Sequence, residues 1–368
     1  MNYIFIYPYS TLFYSLIMII SLFFAFIAQK SKTTKMQRIF VALVILSLAL
    51  PAGLRDSSVG KDTWAYIRAF QSASAGYQGE LFYTYYENGF SLLIKILIMI
   101  LKEPYYVNLF ISILTNILII KTLWTFRNNL SFSFSIFLYY TLYYFETYNI
   151  LRQYLAIAII FFGMKFLLDQ KYVIFLAFVL LASSIHRSAI IGILYIPIDI
   201  LIKKKLLYRH KILILFFILS FAFFHNYVLD AIGLKSVFNK YITYYIHKSG
   251  INVNLGFFFV VRLAIIIFSL YVLRKKGFID YEFSKFIILL NLLGTILTMS
   301  GYIYTFTGRI GTYFLFNEII FWSMLIKIKD KPLALLLKIV FVMLNLFILF
   351  NNLNGSTQGQ MPYKIFLR

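Results

Sequence analysis

Residues 4–28 read IFIYPYSTLFYSLIMIISLFFAFIA, without a single charge. Coiled as a helix, this run extends about 37 Å, more than the ~30 Å hydrocarbon core of a bilayer. A helix is also the form in which one isolated segment satisfies all its own backbone polar groups in lipid. No basic residue precedes the run, so it reads as a first crossing and not as a cleavable leader. Lys30, Lys32, Lys35 and Arg38 follow at once, and then a second apolar run at 39–53. This alternation of long apolar run and short basic loop continues through the chain.

The totals agree with that reading. Of 368 residues, 61% are hydrophobic and 13% charged, and the mean hydropathy is +0.83. A water-soluble domain has no interior large enough to hide this much apolar surface, so cytosolic enzymes, secreted domains and disordered chains are excluded. Lys and Arg number 35 against 13 Asp and Glu, a net charge of +22. The basic residues collect in loops, as orientation by the positive-inside rule requires, and none lies in a nucleic-acid recognition fold, so no nucleic-acid partner is expected. Cysteine is absent, which removes disulfides, thiolate metal sites and cysteine nucleophiles.

Thirteen apolar segments can be drawn: 4–28, 39–53, 88–101, 105–124, 132–148, 152–168, 171–187, 188–202, 211–229, 255–273, 283–303, 310–327 and 332–351. The basic loops at Lys30–Arg38, Lys203–Lys211, Arg274–Lys276 and Lys327–Lys331 belong on the cytoplasmic side. All four fit only if one of the third, fourth and fifth segments fails to cross. The run 88–101 is the candidate, because its 14 residues rise only ~21 Å and Glu103-Pro104 ends it. The chain is therefore expected to be an all-α polytopic membrane protein. It should have about twelve transmembrane helices plus one short re-entrant or half-spanning helix at 88–101. Residues 1–368 should form a single integral membrane domain, with external loops 54–87 and 230–254 and an external tail 352–368. Stretch 62–75 is amphipathic enough to lie along the interface.

Several chemical signatures are missing. There is no phosphate-cradling glycine loop and no His-Glu-x-x-His helix. With four histidines and no cysteine, no protein-built metal site and no cofactor are expected. Basic groups instead gather at the expected external ends of helices. Arg55 follows the second crossing, Arg152-Gln153 opens the sixth, His186-Arg187-Ser188 joins the seventh and eighth, and Arg309 lies between the eleventh and twelfth. Arg262 lies inside the tenth. Ionisable residues at such depths are costly and mark polar sites, interface anchors or structural pairs. Guanidiniums converging on one face, with few acids (Asp56, Asp62, Glu80, Glu87, Glu146, Asp230), suit a ligand that brings its own negative charge, such as a lipid-linked pyrophosphate. A base would then take a proton from an attacking hydroxyl. His186 suits this by its pKa, and Asp62 is the alternative.

Four stretches, taken in order, resemble the EpsG-like branch of the Wzy-type polysaccharide polymerases. Gly53-Leu54-Arg55 runs into Val59-Gly60-Lys61-Asp62 with Tyr66 behind it. Arg152-Gln153-Tyr154-Leu155-Ala156 opens a helix. Ile185-His186-Arg187-Ser188-Ala189 follows, and Pro362-Tyr363-Lys364 comes near the end. Gly60-Lys61-Asp62 departs from the family's usual Gly-Thr-Asp. The resemblance implies a bacterial inner-membrane enzyme with a periplasmic active face. Its donor would be a growing glycan on undecaprenyl pyrophosphate and its acceptor one repeat unit on the same carrier. It would join them by glycosyl transfer and release undecaprenyl pyrophosphate, without nucleotide sugar or metal. The implied fold is similar to the multi-spanning lipid-dependent glycosyltransferases and to O-antigen ligase. On this reading His186, Asp62, Arg152 and Arg309 are catalytic, and Arg55, Gln153, Arg262, Arg187 and Tyr66 bind substrate. Partners are the undecaprenyl-pyrophosphate-linked glycan, membrane lipid and a chain-length regulator protein.

Two other classes compete. An O-antigen ligase would share the donor and the arginine-rich face, and a large external loop late in the chain would favour it. A flippase or transporter would show repeated halves and broken helices meeting at mid-membrane. No internal repeat is visible.

Overall fold

A computed structural model describes residues 3–74, 86–204, 257–300 and 305–366. The expected crossing at 211–229, the loop 230–254 and residues 75–85 of the loop 54–87 lie outside the described residues. The described elements are helical: α1 (Tyr3–Ile6), α2 (Pro8–Lys30), α3 (Thr34–Gly53), α4 (Thr63–Ser74), α5 (Asn88–Leu101), α6 (Pro104–Thr125), α7 (Phe132–Leu142), α8 (Leu151–Leu168), α9 (Tyr172–Ile185), α10 (Tyr195–Lys203), α11 (Phe257–Arg274), α12 (Tyr281–Ser300), α13 (Thr305–Leu315), α14 (Glu318–Leu325) and α15 (Lys331–Gly355). Two 3-10 segments, Phe145–Tyr148 and Arg187–Leu194, precede α8 and α10. Six of the described helices, α2, α3, α6, α8, α12 and α15, are long and apolar enough to cross a membrane. The protein is a multi-pass membrane protein.

Local chemistry sets many helix starts. Proline occupies the first turn of α2, α6 and α15, where its missing N–H leaves no bond unmade. Thr33 accepts from the Met36 amide to cap α3, and Asp330 from the Leu333 amide to cap α15. Leu335, Leu336, Ile339 and Met343 of α15 stay exposed, as a lipid-facing stripe should.

Side-chain contacts define the two ends of the bundle. At one end Lys327 Nζ donates to the carbonyls of Arg127, Asn128 and Leu130, and Asn129 donates to Asp280. Gln29 accepts from Ser133 at the same end. At the other end Asn108 donates to the Gly53 carbonyl over 2.9 Å, and Tyr363 bonds both Ser10 and the Pro51 carbonyl. The opening of α6 lies at this second end, because Tyr105 stacks on Phe366 with ring centroids 3.6 Å apart and the Phe366 amide donates to Leu54.

Helix α5 therefore begins and finishes at one end of the bundle. Its first residue follows Glu87, which contacts Arg152 and His186, and its last precedes α6 by only two residues. The 14-residue helix does not cross, which resolves the parity conflict read in the sequence. Its outer side keeps Leu92, Met99 and Ile100 exposed and apolar.

Three expected crossings are interrupted. The run 132–148 stays α-helical only to Leu142, and then turns into the Phe145–Tyr148 segment. Hydroxyls stabilise this break: Tyr140 donates to Tyr14 O, Tyr144 to Leu48 O and Thr147 to Tyr144 O. Irregular backbone survives at membrane depth only under such protein cover. The run 188–202 opens as 3-10 helix, whose ~2 Å rise lets seventeen residues from Arg187 to Lys203 still extend about 30 Å. The run 310–327 begins earlier than read, at Thr305, and breaks at Phe316-Asn317. There Tyr195 donates to Tyr313 O over 2.6 Å and Asn317 donates to Tyr195 over 2.7 Å. Helices α12 and α13 approach so closely that a Cβ on Gly311 would lie 2.7 Å from the Thr298 nitrogen, which sets the depth of the α13 residues.

Candidate active site

The end of the bundle that holds α5 also gathers the residues marked in the sequence. The loop from Arg55 to Asp62 turns at Gly60, whose φ of +98° is one that an L side chain rarely adopts. Beyond the turn, the Lys61 and Asp62 amides both donate to Asn149 Oδ1, at 2.6 and 3.4 Å. Asn149 in turn donates to the carbonyl and the side chain of Gln358. The Asp62 carbonyl accepts from Tyr66 and so opens α4. The Asp62 side chain is left exposed. Partial desolvation raises its carboxyl above the ordinary range, while Arg309 and Lys61 pull it down.

Glu87 is the hub of the site. It precedes α5 in the N-cap position but makes no cap bond. Its side chain turns instead to α8 and to the α9 terminus. Oε2 accepts from Arg152 Nη1 at 2.5 Å. Oε1 accepts from the Arg187 amide at 3.1 Å and lies 3.3 Å from His186 Nδ1. The Arg152 guanidinium also lies 4.6 Å from the Tyr86 ring centroid and 5.8 Å from that of Phe90, an arrangement that strengthens cation binding on aromatic faces. Burial acts to raise the Glu87 carboxyl, but the His186 contact, the Arg152 charge and the Arg187 amide outweigh it and hold the group at about 2. His186 is buried, and burial lowers its imidazole below the ordinary 6.5; Glu87 opposes this, while Arg152 and Arg309 add to it.

Arg309 stands in the first half of α13, half-buried, and its charge acts on both Asp62 and His186. Gln153 Nε2 donates to the Arg309 carbonyl over 2.7 Å. Ser188, in the 3-10 segment, meets the Tyr313 hydroxyl at 3.1 Å, one helical turn further along α13. Five separate pieces of chain thus bring Asp62, Glu87, Arg152, His186 and Arg309 to one end of the bundle. Such a set can bind a polyanion, hold its orientation and accept one proton.

Other sequence candidates are placed differently. Arg55 is fully buried and committed to the protein: its guanidinium donates to Ala52 O, to Thr63 Oγ1 at 3.1 Å and to Tyr148 O at 2.9 Å, and lies 4.5 Å from the Tyr148 ring centroid. It ties the end of α3 to the 3-10 turn and braces the Asp62 loop. Arg262 forks onto Glu318 with two 2.8 Å bonds, the structural pairing that its intramembrane position allowed. Tyr143 donates to the same carboxylate at 2.5 Å, and Tyr154 donates to Glu146 nearby. Tyr66 lies on the packed face of α4 with Ile67 and Phe70. Gln153 is buried as a strut between α8 and α13. Arg187 contributes its amide, and its side chain is exposed.

The sequence reading missed Asn149, Glu318 and the central role of Glu87. Glu318 carried a legible signal, a lone carboxylate inside an apolar run, which must find a partner in lipid. Asn149 carried none. Among the described residues no group of three or more His, Asp or Glu side chains converges as metal ligands would.

The chain is 24% identical over 353 residues, 92% of each chain, to the amylovoran biosynthesis protein AmsC of Erwinia amylovora. No solved structure matches it. The family model for EpsG matches residues 38–365, a span that contains the Asp62 loop, Glu87, Arg152, His186, Arg309 and most of the tail that braces them. The chain belongs to the EpsG family.

Proposed function

We propose that this protein polymerises oligosaccharide repeat units carried on undecaprenyl pyrophosphate, at the periplasmic face of the bacterial inner membrane. EpsG membership and the likeness to a protein of amylovoran biosynthesis support a role in polysaccharide biosynthesis. The observation that carries the finer reading is the convergence of Arg152, Arg309, His186 and Asp62 at one end of a membrane bundle. That end lies opposite the end where Lys327 and its neighbours cluster, and the positive-inside rule puts a lysine-rich end in the cytoplasm.

The reaction joins an acceptor hydroxyl to the anomeric carbon of the donor. The oxygen–carbon bond forms, the carbon–phosphate oxygen bond breaks, and its electron pair leaves with the pyrophosphate. The transition state has oxocarbenium character, as in other glycosyl chemistry. The leaving group gains one negative charge, which Arg152 and Arg309 offset. A guanidinium stays charged at any working pH and forks onto phosphate oxygens, so this stabilisation needs no proton transfer. The hydroxyl proton passes to His186 or Asp62. Membrane lipid surrounds the carrier, and a separate chain-length regulator sets how often the cycle repeats.

A deletion-and-complementation gel of surface polysaccharide tests the reading. The deletion strain should lose the polymer ladder and retain single repeat units, and wild-type protein should restore the ladder. Bare acceptor with long lipid-linked glycan accumulating would instead identify a ligase. Bare acceptor with no periplasmic polymer would identify a transporter.

A further inference from the structure

His186 and Asp62 compete for the hydroxyl proton, and the geometry around Glu87 separates them. We propose that Glu87 is a positioning residue that fixes His186 as the proton acceptor and makes Nε2 the accepting atom. The inference rests on the polymerase reading above.

A neutral imidazole carries its proton on one nitrogen, and the neighbour of that nitrogen decides which. Nδ1 of His186 is buried and makes no well-aligned hydrogen bond among the described residues; Glu87 Oε1 lies 3.3 Å from it and is the anion beside it. An ionised carboxylate only accepts hydrogen bonds, so it favours the tautomer with the proton on Nδ1. The lone pair then sits on Nε2, across the ring. The carboxylate itself is held on three sides. Arg152 takes Oε2, the Arg187 amide takes Oε1, and the N-terminus of α5 favours negative charge at this position. The amide comes from the residue next to His186, so the carboxylate and imidazole are registered by adjacent backbone.

Asp62 has no comparable support. Its amide is held by Asn149, but its side chain is exposed, whereas His186 is buried beside Glu87. In the step itself, the acceptor O–H proton moves to Nε2 as the oxygen–carbon bond forms and the pyrophosphate departs. The charged groups that face His186 are Glu87 at the start of α5, Arg152 on α8 and Arg309 on α13, with Arg187 beside it. Among these described groups only Glu87 favours the imidazolium that forms.

The test uses full-length protein in nanodiscs and, as substrate, the lipid extract of the deletion strain. Wild type should polymerise the extract with an acid limb in its pH–rate profile. Glu87→Gln should lower kcat about 10- to 100-fold at nearly constant KM and move the acid limb to lower pH; Glu87→Asp should recover much of the rate. His186→Ala should remove the limb. A nitrogen-15 histidine spectrum of a variant retaining only His186 should show the Nδ1–H tautomer in otherwise wild-type protein, and this reading stands even if Glu87→Gln fails to fold. The inference is overturned if the Nε2–H tautomer is found, if Glu87→Gln keeps both rate and limb, or if Asp62→Asn alone removes the limb. If wild type makes no polymer from the extract, the polymerase reading itself falls.

Discussion

The side-chain amide of Gln153 donates to the main-chain carbonyl of Arg309 over 2.7 Å, joining residues 156 positions apart. Arg152, the preceding residue, is bonded to Glu87. One dipeptide at the start of α8 therefore grips both flanks of the site, α5 through the guanidinium and α13 through the amide. Gln153→Ala should leave the bundle folded, at a cost of about 1 kcal/mol for one lost bond. Activity should fall about tenfold as Arg309 loses its register. Thermal unfolding in detergent and polymerisation by the same samples check the two halves separately.

Arg152→Lys should behave as a severe substitution although it keeps the charge. An ammonium cannot lie flat against Tyr86 while bonding Glu87, nor fork onto a phosphate. The ladder should be lost about as fully as with Arg152→Ala, at normal protein levels on an immunoblot.

The Arg262–Glu318 pair allows a double-mutant cycle. Removing one partner leaves an uncompensated charge inside the bundle and should cost about 3–5 kcal/mol. Arg262→Met and Glu318→Gln should each lower the melting temperature sharply. The double variant should regain much of the loss, which a substrate-binding role for Arg262 would not produce.

Acid should weaken the fold through two groups of the same sign. Glu87 is held at about 2, below its ordinary 4.5. The stability it contributes is complete above 4.5 and is lost as pH falls toward 2. His186 is lowered below 6.5 by burial, so the folded state prefers it neutral. Its contribution is present above 6.5 and is lost as pH falls through its folded value. Melting temperature should be flat at neutral pH and fall on acidification below about 6.5. Glu87→Gln should flatten the lowest part of that decline.

The tail should prove necessary for activity. Gly359 accepts from the Gly60 amide, Lys364 O accepts from Asp56, and Gln358 accepts from Asn149. Asn149→Ala should therefore loosen the Asp62 loop and reduce polymerisation, while Asn149→Gln should restore little, because its longer arm cannot meet both amides and Gln358 together. Protease cleavage within 56–62 should be faster in Asn149→Ala than in wild type.

Much of this was legible in the chain. The bilayer imposes its demand locally, residue by residue, so the long apolar runs and their basic loops read directly, and the charge parity singled out 88–101. Arg152, His186 and Arg309 were visible because guanidinium and imidazole at helix ends stand out against Leu and Phe. The broken helices were not legible, since the breaks at Tyr143–Tyr148 and Phe316-Asn317 depend on hydroxyl partners far away in sequence. The partners of Arg55 and Arg262 were not legible, because sequence shows the charge and not what it meets. Asn149 was invisible because its meaning lies in Gln358, 209 positions on.

The clasp between residues 356–366 and the Arg55–Asp62 loop also orders events in time. Arg55 pairs with Ile365 in an antiparallel bridge, so the loop meets its brace only after some three hundred further residues have been made. At roughly 5–20 residues per second, that is a delay on the order of 15–60 s. A nascent chain already threaded through the membrane carries every candidate active-site residue before it can hold them in register. Register in the Asp62 loop arrives as a late event, with residues 356–366 acting as the latch, and a chain lacking them would sit in the membrane with that loop unbraced.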